Sequence, residues 1–443
     1  MTVHPLSGPA PGYDDPYEAA GIRLLTGRRT GLDEHLARHG VLPLPWSGRG
    51  GGDERLISAV ELSGLTGRGG AAFPTGRKMR AVADGKGFPV VVANGMESEP
   101  ASRKDATLLD DAPHLVLDGA AVAAAAVGAN TVHLCLARPR LLQAERMRRC
   151  VDERLRRGLD RINVRIQQLP HHYVSSEESA LVRWLNGGDA RPAATPPRPF
   201  EKGVRGQPTL VANVETLAHL ALIARYGPGW FRRVGHPDAP GTALLTVTGA
   251  VRRPGVHEVP MGRSLGSVLE TAGGATAPLS ALLVGGFFGS WLPAGPALSV
   301  PFTRADLAQL GAGPGAGVVV ALPKDACGLA ETARILNHLA ANSAQQCGPC
   351  RFGLPAVARD FTALAEGRPE KDLWARLRSR IELLPGRGAC RHPDGASRLA
   401  ATALSVFAAD AHIHMTGHPC DAFHGSAVLN IPQAHVPGPD EWR

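Results

Sequence analysis

Aromatic residues make up only 5% of this 443-residue chain, and no ladder of alternating aromatic and basic side chains runs through it. Nothing therefore marks a single-stranded nucleic-acid groove. Long apolar runs are also missing. The longest, AAVAAAAV at 120–127, is too short and too rich in alanine to span a bilayer, so direct membrane insertion is not expected. The N-terminus MTVHPLSGPAPG has neither the basic start nor the apolar stretch of a secretory signal, and the chain reads as cytoplasmic. Charge of one sign is scarcely in excess: 48 basic against 40 acidic residues give +8, with no basic tract. That bias argues against nucleic acid and suits an anionic cofactor or an acidic partner protein. The seven cysteines, at 135, 150, 327, 347, 350, 390 and 420, are odd in number. With no secretory signal they do not read as a disulfide scaffold, and their late clustering points to a metal or redox site.

What is present is a folded chain, 44% hydrophobic and long enough for two to four domains. Residues 1–52, rich in Gly and Pro, read as an N-terminal arm with a short helix near 30–38. DERLISAVELS (53–63) reads as a helix and is followed by the glycine-dense GLTGRGGAAFPTGRK (64–78). FPVVVA (88–93), TVHLCLA (131–137) and INVRIQQL (162–169) have the composition of buried strands. Helices between them, over 105–126 with Pro113 as a break and over 145–159, complete an α/β alternation. Residues 187–208 form a long irregular segment, and VANVETLAHLALIARYG (211–227) returns to helix. A smaller strand-rich unit follows at 240–325, a helical region at 326–411, and a His/Pro-rich tail at 412–443. The fold class expected is α/β: an α/β domain over 53–239, then the strand-rich unit, then a helical bundle.

The glycine loop carries the first chemistry. Glycines at 64, 67, 69, 70 and 76 allow close backbone approach, and successive N–H groups can cradle a phosphate. Arg68, Arg77 and Lys78 add positive charge. A helix rather than a strand precedes the loop, so it is not a Rossmann fingerprint, and no GK[ST] ends it as in a Walker A loop. A surface loop with turns is the plain alternative.

Four segments in order resemble those of the 51 kDa-type NADH-binding flavoprotein family of complex I-type dehydrogenases and NAD-reducing hydrogenases. They are GLTGRGGAAFPTGRK (64–78), NGMESEPASRKD (94–105), YVSSEESAL (173–181) and QPTLVANVETL (207–217). The resemblance covers about 55–410. It implies FMN and NAD(H) as ligands, with Gly67, Arg68, Gly69, Gly70 and Lys78 around the flavin and its phosphate. Asn94 and Asn213 would contact the flavin. Glu97 and Glu99 would offer carboxylates near the ring and the nicotinamide. Tyr173, Glu177 and Glu178 would belong to the same cofactor site, the two glutamates at a helix N-terminus, where simple helix charge is the plain alternative. Phe73 and Phe200 would stack near NADH, although a lone Phe is more often a core residue. No catalytic acid or base is required.

The resemblance extends to GAVRRPGVHEVPMGRSLGSVLETAGG (249–274), which is similar to the β-grasp SLBB module and is expected to be structural. Near the end, SAQQCGPCRFG (343–353) and GRGACRHPDG (386–395) resemble the region that binds a 4Fe–4S cluster. Cys347, Cys350 and Cys390 match its second, third and fourth ligands. Ala344 stands where the first would be. Candidates for the missing ligand are Gln345, Gln346, His392 and Cys327, and also Cys420 and histidines 412, 414, 418 and 424 if the tail folds back. HIHMTGHPCDAFH could bind zinc or iron by itself, or be a solvent-exposed string of histidines. Other departures are Ala72, Met96, Ser176 and Ala212. The function expected is a flavin-dependent oxidoreductase that takes hydride from NADH or NADPH. It would pass single electrons through an iron–sulfur centre to a ferredoxin, another iron–sulfur protein or a membrane redox protein. In the last case the chain would sit peripherally on the inner membrane face. The alternative is a flavin- or nucleotide-binding scaffold without the standard cluster. A thiol–disulfide role for CGPC lacks a thioredoxin-like βαβ setting, and a zinc hydrolase lacks any H-E-x-x-H spacing.

Overall fold

A computed structural model describes residues 22–44 and 52–443. Residues 1–21 and 45–51, and with them part of the 1–52 arm, lie outside the described residues. The described part of that arm carries helix α1 (Leu32–His39). It is packed down rather than loose, with Arg23, Leu24 and Leu32 buried.

The α/β layer begins with α2 (Glu54–Ser63), whose first turn is capped by the Asp53 carboxylate at Arg55 N and which ends at Gly64 in the left-handed region. After the glycine loop come α3 (Thr75–Ala83), β1 (Val90–Gly95), α4 (Lys104–Asp111) and α5 (Pro113–Val127). β2 (Thr131–Ala137), α6 (Leu141–Arg156), β3 (Asn163–Leu169), α7 (Glu178–Leu185), β4 (Thr209–Asn213) and α8 (Val214–Phe231) complete it. The four strands are parallel in the order β3-β2-β1-β4. Both faces are covered, as parallel sheets require. Val91, Ala93, Leu134 and Leu210 face the large core with α5 and α8. Val92, Cys135 and Val211 face a smaller one with Leu181 and Val182 of α7. The alanine run at 120–127 finds its explanation here: α5 is buried on nearly every side. A Cβ on Gly119 would lie 1.8 Å from the Leu217 carbonyl, so only glycine permits this approach to α8.

Residues 211–213 are not helical, contrary to expectation: TLVAN is the strand β4 beside β1, and the helix starts only at Val214. Asn213 ends the strand and caps the helix through its side chain to Glu215 N, so strand and helix share one continuous apolar run.

A two-strand ribbon, β5 (Gly235–His236) with β6 (Ala239–Pro240), leads into the second sheet. Its strands are β7 (Thr242–Gly249), β8 (Gly255–Pro260), β9 (Leu279–Val284), β10 (Ser290–Pro293) and β11 (Val318–Pro323), in the order β10-β9-β11-β7-β8. Helices α9 (Leu265–Thr271), α10 (Ala294–Ala297) and α11 (Arg304–Gln309) accompany it. Leu245, Val247 and Val319 pack with α9 on one face. Leu283, Val318 and Val320 on the other face meet the C-terminal helices. Those helices are α12 (Gly328–Ala341), α13 (Leu354–Ala365), α14 (Leu373–Leu383), α15 (His392–Val406) and α16 (Ala408–Met415). The tail is not a free string of residues. Leu429 and Trp442 are buried, Ala190 N donates to Trp442 O at 2.8 Å, and the His172 ring lies 4.3 Å from that of Trp442. Among the described residues no helix is long and apolar enough to cross a membrane.

One buried anion holds α1, α5, α6 and α8 together. Asp118 contacts His35 Nε2 at 2.7 Å, Arg154 at 2.6 Å and Arg225 at 2.5 Å. Burial alone would raise its pKa, but these partners hold it well below the usual carboxylate range. Asp118→Ala would leave buried arginines short of their counter-charge. The expected loss is about 3–5 kcal/mol in urea unfolding. A loss below about 1 kcal/mol would show that the network is dispensable.

Candidate functional site

Strand order reverses at β1: the chain runs outward to β2 and β3, then returns to place β4 on the other side of β1. Open parallel sheets bind ligands at the carboxyl ends of the strands at such a point. Here those ends are Asn94 and Asn213, which are register partners. The glycine loop lies directly against them, since a Cβ on Gly69 would sit 3.3 Å from Asn213 Cβ. The loop is closed at its base by a Thr66–Pro74 bridge, with Gly67 N donating to Phe73 O at 2.9 Å. Between these points Gly69, Gly70 and Ala71 are exposed, and among the described residues their amides meet no acceptor at hydrogen-bond geometry. A turn nearly bare of side chains, with free amides at a switch point, fits a phosphorylated planar ligand. Ala72 has φ 49°, a left-handed conformation that costs a non-glycine residue about 1 kcal/mol.

The other residues expected to contact cofactor divide into those left partly exposed and those held by the protein. Lys78, early in α3, pairs with Glu178 at the start of α7 at 2.7 Å, and both are partly exposed. Phe73 is exposed, with the Arg77 guanidinium 5.9 Å from its ring centroid. Asn94 Nδ2 donates to Ser176 O at 2.9 Å and its Oδ1 accepts from Met96 N. Ser176 also meets Ser98 at 2.5 Å, which closes this corner. Glu177 caps α7, accepting from Ser179 N and Ala180 N, and its pKa is raised by burial. Phe200 is half-buried against the main core. Arg68 keeps its backbone in the loop, but its guanidinium is buried and donates to Pro240 O and Thr242 O. Glu97 is likewise engaged: it accepts from Asp105 N, Ala106 N, the Ser102 hydroxyl and Arg140. What these two offer a ligand is therefore backbone rather than a free charge.

Glu99 and Tyr173 form a buried link to the second sheet. Glu99 accepts from the Tyr173 hydroxyl at 2.7 Å and from Phe287 N at 2.9 Å. Gly286 has φ 88°, a left-handed conformation that favours glycine, and a Cβ there would also lie 2.7 Å from Glu99 Oε2. Burial outweighs these donors and pushes the Glu99 carboxyl up to about 7.

Several residues at this site were not singled out by the sequence. Beneath the loop, Lys104 contacts Asp105 at 2.7 Å and Glu215 at 2.9 Å, and Asn213 donates to Asp105 at 2.7 Å. Burial lowers the Lys104 pKa, yet the two carboxylates more than offset it and raise the value. The glycine stretches at 285–289 and 311–317 also reach the crevice: a Cβ on Gly70 would come within 3.5 Å of Gly315 O. Their glycine density was the available signal. Lys104 and Glu215 gave none beyond their place in the matched segments.

At the far end, Cys347 lies just before a π-turn at Pro349–Gly353 that carries Cys350, and Cys390 precedes α15. Burial and the two neighbouring thiols raise the Cys350 pKa. Cys390, pushed up to about 11 by burial, also feels Glu177. The cysteine group therefore lies within electrostatic reach of the start of α7. Among the described residues, the only three ligand atoms of His, Cys, Asp or Glu gathered within 4.8 Å of one another belong to Cys327, His414 and Cys420. The Cys347, Cys350 and Cys390 thiols are near enough to influence one another, although their sulfurs do not all lie within 4.8 Å. Ala344 is buried in the same core as Cys350. Of the substitutes for a fourth cysteine, Gln346 is held by Arg183 and Pro192 O, and Gln345 is exposed. Cys327, Cys420 and His414 gather elsewhere. His392 Nε2 contacts Leu339 O while its buried Nδ1 has no partner.

Fold and site together divide the chain into three parts: a parallel α/β layer with a glycine loop at its switch point, a β-rich module and a cysteine-bearing helical domain. The profile of the Nuo51 FMN-binding domain matches residues 60–222, that of the SLBB domain 244–286, and that of the NADH-ubiquinone oxidoreductase-F iron-sulfur binding region 330–414. The chain is 31% identical over 384 residues to the second F-type subunit of NADH-quinone oxidoreductase in Rhizobium meliloti (strain 1021), covering 84% of this chain and 91% of that protein. It is 28% identical over 397 residues to the F-type subunit of the same enzyme in Escherichia coli (strain K12), covering 85% and 88%. A solved NAD+-reducing nickel–iron hydrogenase in the H2-reduced state superposes with a TM-score of 0.79 at 29% identity, covering 92% of this chain and 71% of that one. The chain belongs to the F-type NADH-quinone oxidoreductase family, whose members are NADH-oxidising FMN flavoproteins that pass electrons to an iron–sulfur cluster.

Gly69→Leu should abolish flavin binding with the circular dichroism unchanged, because the new side chain would crowd the exposed turn against Asn213; stoichiometric flavin in the variant would refute the cradle. Glu99 supports a pH test. It keeps its proton in the folded state up to about 7, against an ordinary 4.5. Its contribution is thus fully present below about 4.5 and lost as pH rises through about 7. Glu99→Gln should remove that fall, flattening the unfolding free energy between about pH 5 and 7 relative to the parent chain. An identical pH slope in both proteins would contradict this.

Proposed function

We propose that this chain oxidises NADH at an FMN held between the glycine loop and the carboxyl ends of β1 and β4. The observation that carries this reading is the open turn at Gly69–Ala71, seated against Asn213 at the point where strand order reverses. FMN bound there would accept hydride from the nicotinamide and release electrons one at a time to an iron–sulfur centre. The amides of Gly69 to Ala71 would hold the anionic end of the flavin, with Lys78 as a flexible cation following the loop. Asn94 and Asn213 would set the ring edge, and Phe73 would cover the nicotinamide side. Glu97 and Arg68 would act by holding α4 and the loop in place. Cys347, Cys350 and Cys390 would hold the cluster, with His392 Nδ1 an unpartnered donor for the remaining position. The functional division would follow 53–239 for flavin and nucleotide, 240–325 for the SLBB module and 326–411 for the cluster domain.

The electron acceptor would be a ferredoxin or another iron–sulfur protein, as the relatives are named as parts of larger oxidoreductases. The chain would work in the cytoplasm, with any membrane association supplied by its partner. The test is the visible spectrum of anaerobically purified protein before and after NADH. Flavin bands with an iron–sulfur shoulder, both bleached by NADH, are expected. Cys390→Ala should lose iron and keep flavin. Flavin that stays oxidised would assign the chain to the scaffold reading instead.

A further inference from the structure

Cys327, His414 and Cys420 come from three separate places: the loop before α12, the last turn of α16, and the tail beyond it. Their ligand atoms all lie within 4.8 Å of one another, and Cys327 Sγ is 4.0 Å from His414 Nε2. A tetrahedral zinc with ordinary Zn–S and Zn–N bonds separates such a pair by about 3.6 Å, so a closure of a few tenths of an ångström would seat the ion. His414 is fully buried, and its Nδ1 faces the carbonyl of Ala365 at 2.8 Å. That contact fixes the proton on Nδ1 and leaves the Nε2 lone pair directed at the sulfurs, the arrangement by which backbone carbonyls orient metal-ligating histidines. In the structure this lone pair accepts the Cys420 amide at 2.9 Å, so the amide and an ion would compete for it. Cys327 caps α12, accepting from Ala330 N at 3.4 Å, where the helix terminus favours a thiolate. Histidines 412, 418 and 424 are exposed and take no part.

We propose that Cys327, His414 and Cys420 form a structural zinc site, separate from the Cys347–Cys350–Cys390 centre, that fastens the C-terminal tail to the helical domain. Two sulfurs and an imidazole nitrogen favour zinc over hard cations, with water or another donor completing the tetrahedron. Zinc there would fix the chain at residue 420, ahead of its course back to the flavin domain at Trp442.

The experiment uses the full chain, purified anaerobically, with zinc and iron measured together. One zinc per chain is expected, falling to none in Cys420→Ser with iron unchanged. Cys420→His, which supplies another nitrogen ligand, should restore it. Zinc-free protein loaded with cobalt(II) should show thiolate-to-cobalt charge-transfer bands that Cys327→Ser removes. A parent protein without zinc that gives no such bands with cobalt would overturn the site, whether or not the variants fold. So would a Cys327–Cys420 disulfide in the native protein, found by peptide mass analysis.

Discussion

Glu215 is buried at the start of α8 and faces Lys104 at 2.9 Å and Arg68 at 3.9 Å, while accepting the amide of Leu244 at 2.9 Å. Each partner belongs to a different part of the molecule. Arg68 is in the glycine loop, Lys104 begins the helix that follows β1, and Leu244 lies in the first long strand of the second sheet. A buried carboxylate with one cation fewer would be strongly destabilised, so these parts must arrive together. The loop can stay open and polar because its anchor lies underneath it.

The same constraint explains how the two sheets meet. Glu99 reaches the amide of Phe287, and a Cβ on Gly70 of the glycine loop would lie 3.5 Å from Gly315 O. The module after the α/β layer thus forms one wall of the crevice, although it supplies no side chain with evident chemistry. Tyr173 continues the contact into the helical domain: its ring lies 4.7 Å from Phe288 and 5.6 Å from His392, two residues beyond Cys390.

Much of this was legible in advance. Val90–Gly95 and Thr131–Ala137 announce themselves as apolar, β-branched runs between turns, and the glycine spacing at 64–76 marks an open, turn-rich loop without any fold. Thr209–Asn213 was hidden because strand and helix are joined with no turn residue between them, and an apolar run alone does not reveal its period. The buried ion cluster was hidden for another reason. Lys104, Asp105 and Glu215 look like surface residues in sequence, and only the sheet register brings them together. Cys327 and Cys420 were visible as spare ligands, but their pairing depends on the tail turning back, which spacing does not encode.

The pairing of Lys78 with Glu178 bears on how any anion would enter the crevice. The ammonium already has a carboxylate, so a phosphate arriving there takes the place of one negative charge rather than meeting a bare positive one. The net Coulombic gain is small, and the affinity then falls to the uncharged amides of the loop. Binding of this kind should change little with ionic strength, and the released Glu178 would become a free hydrogen-bond acceptor at the mouth of the crevice only once that anion is in place.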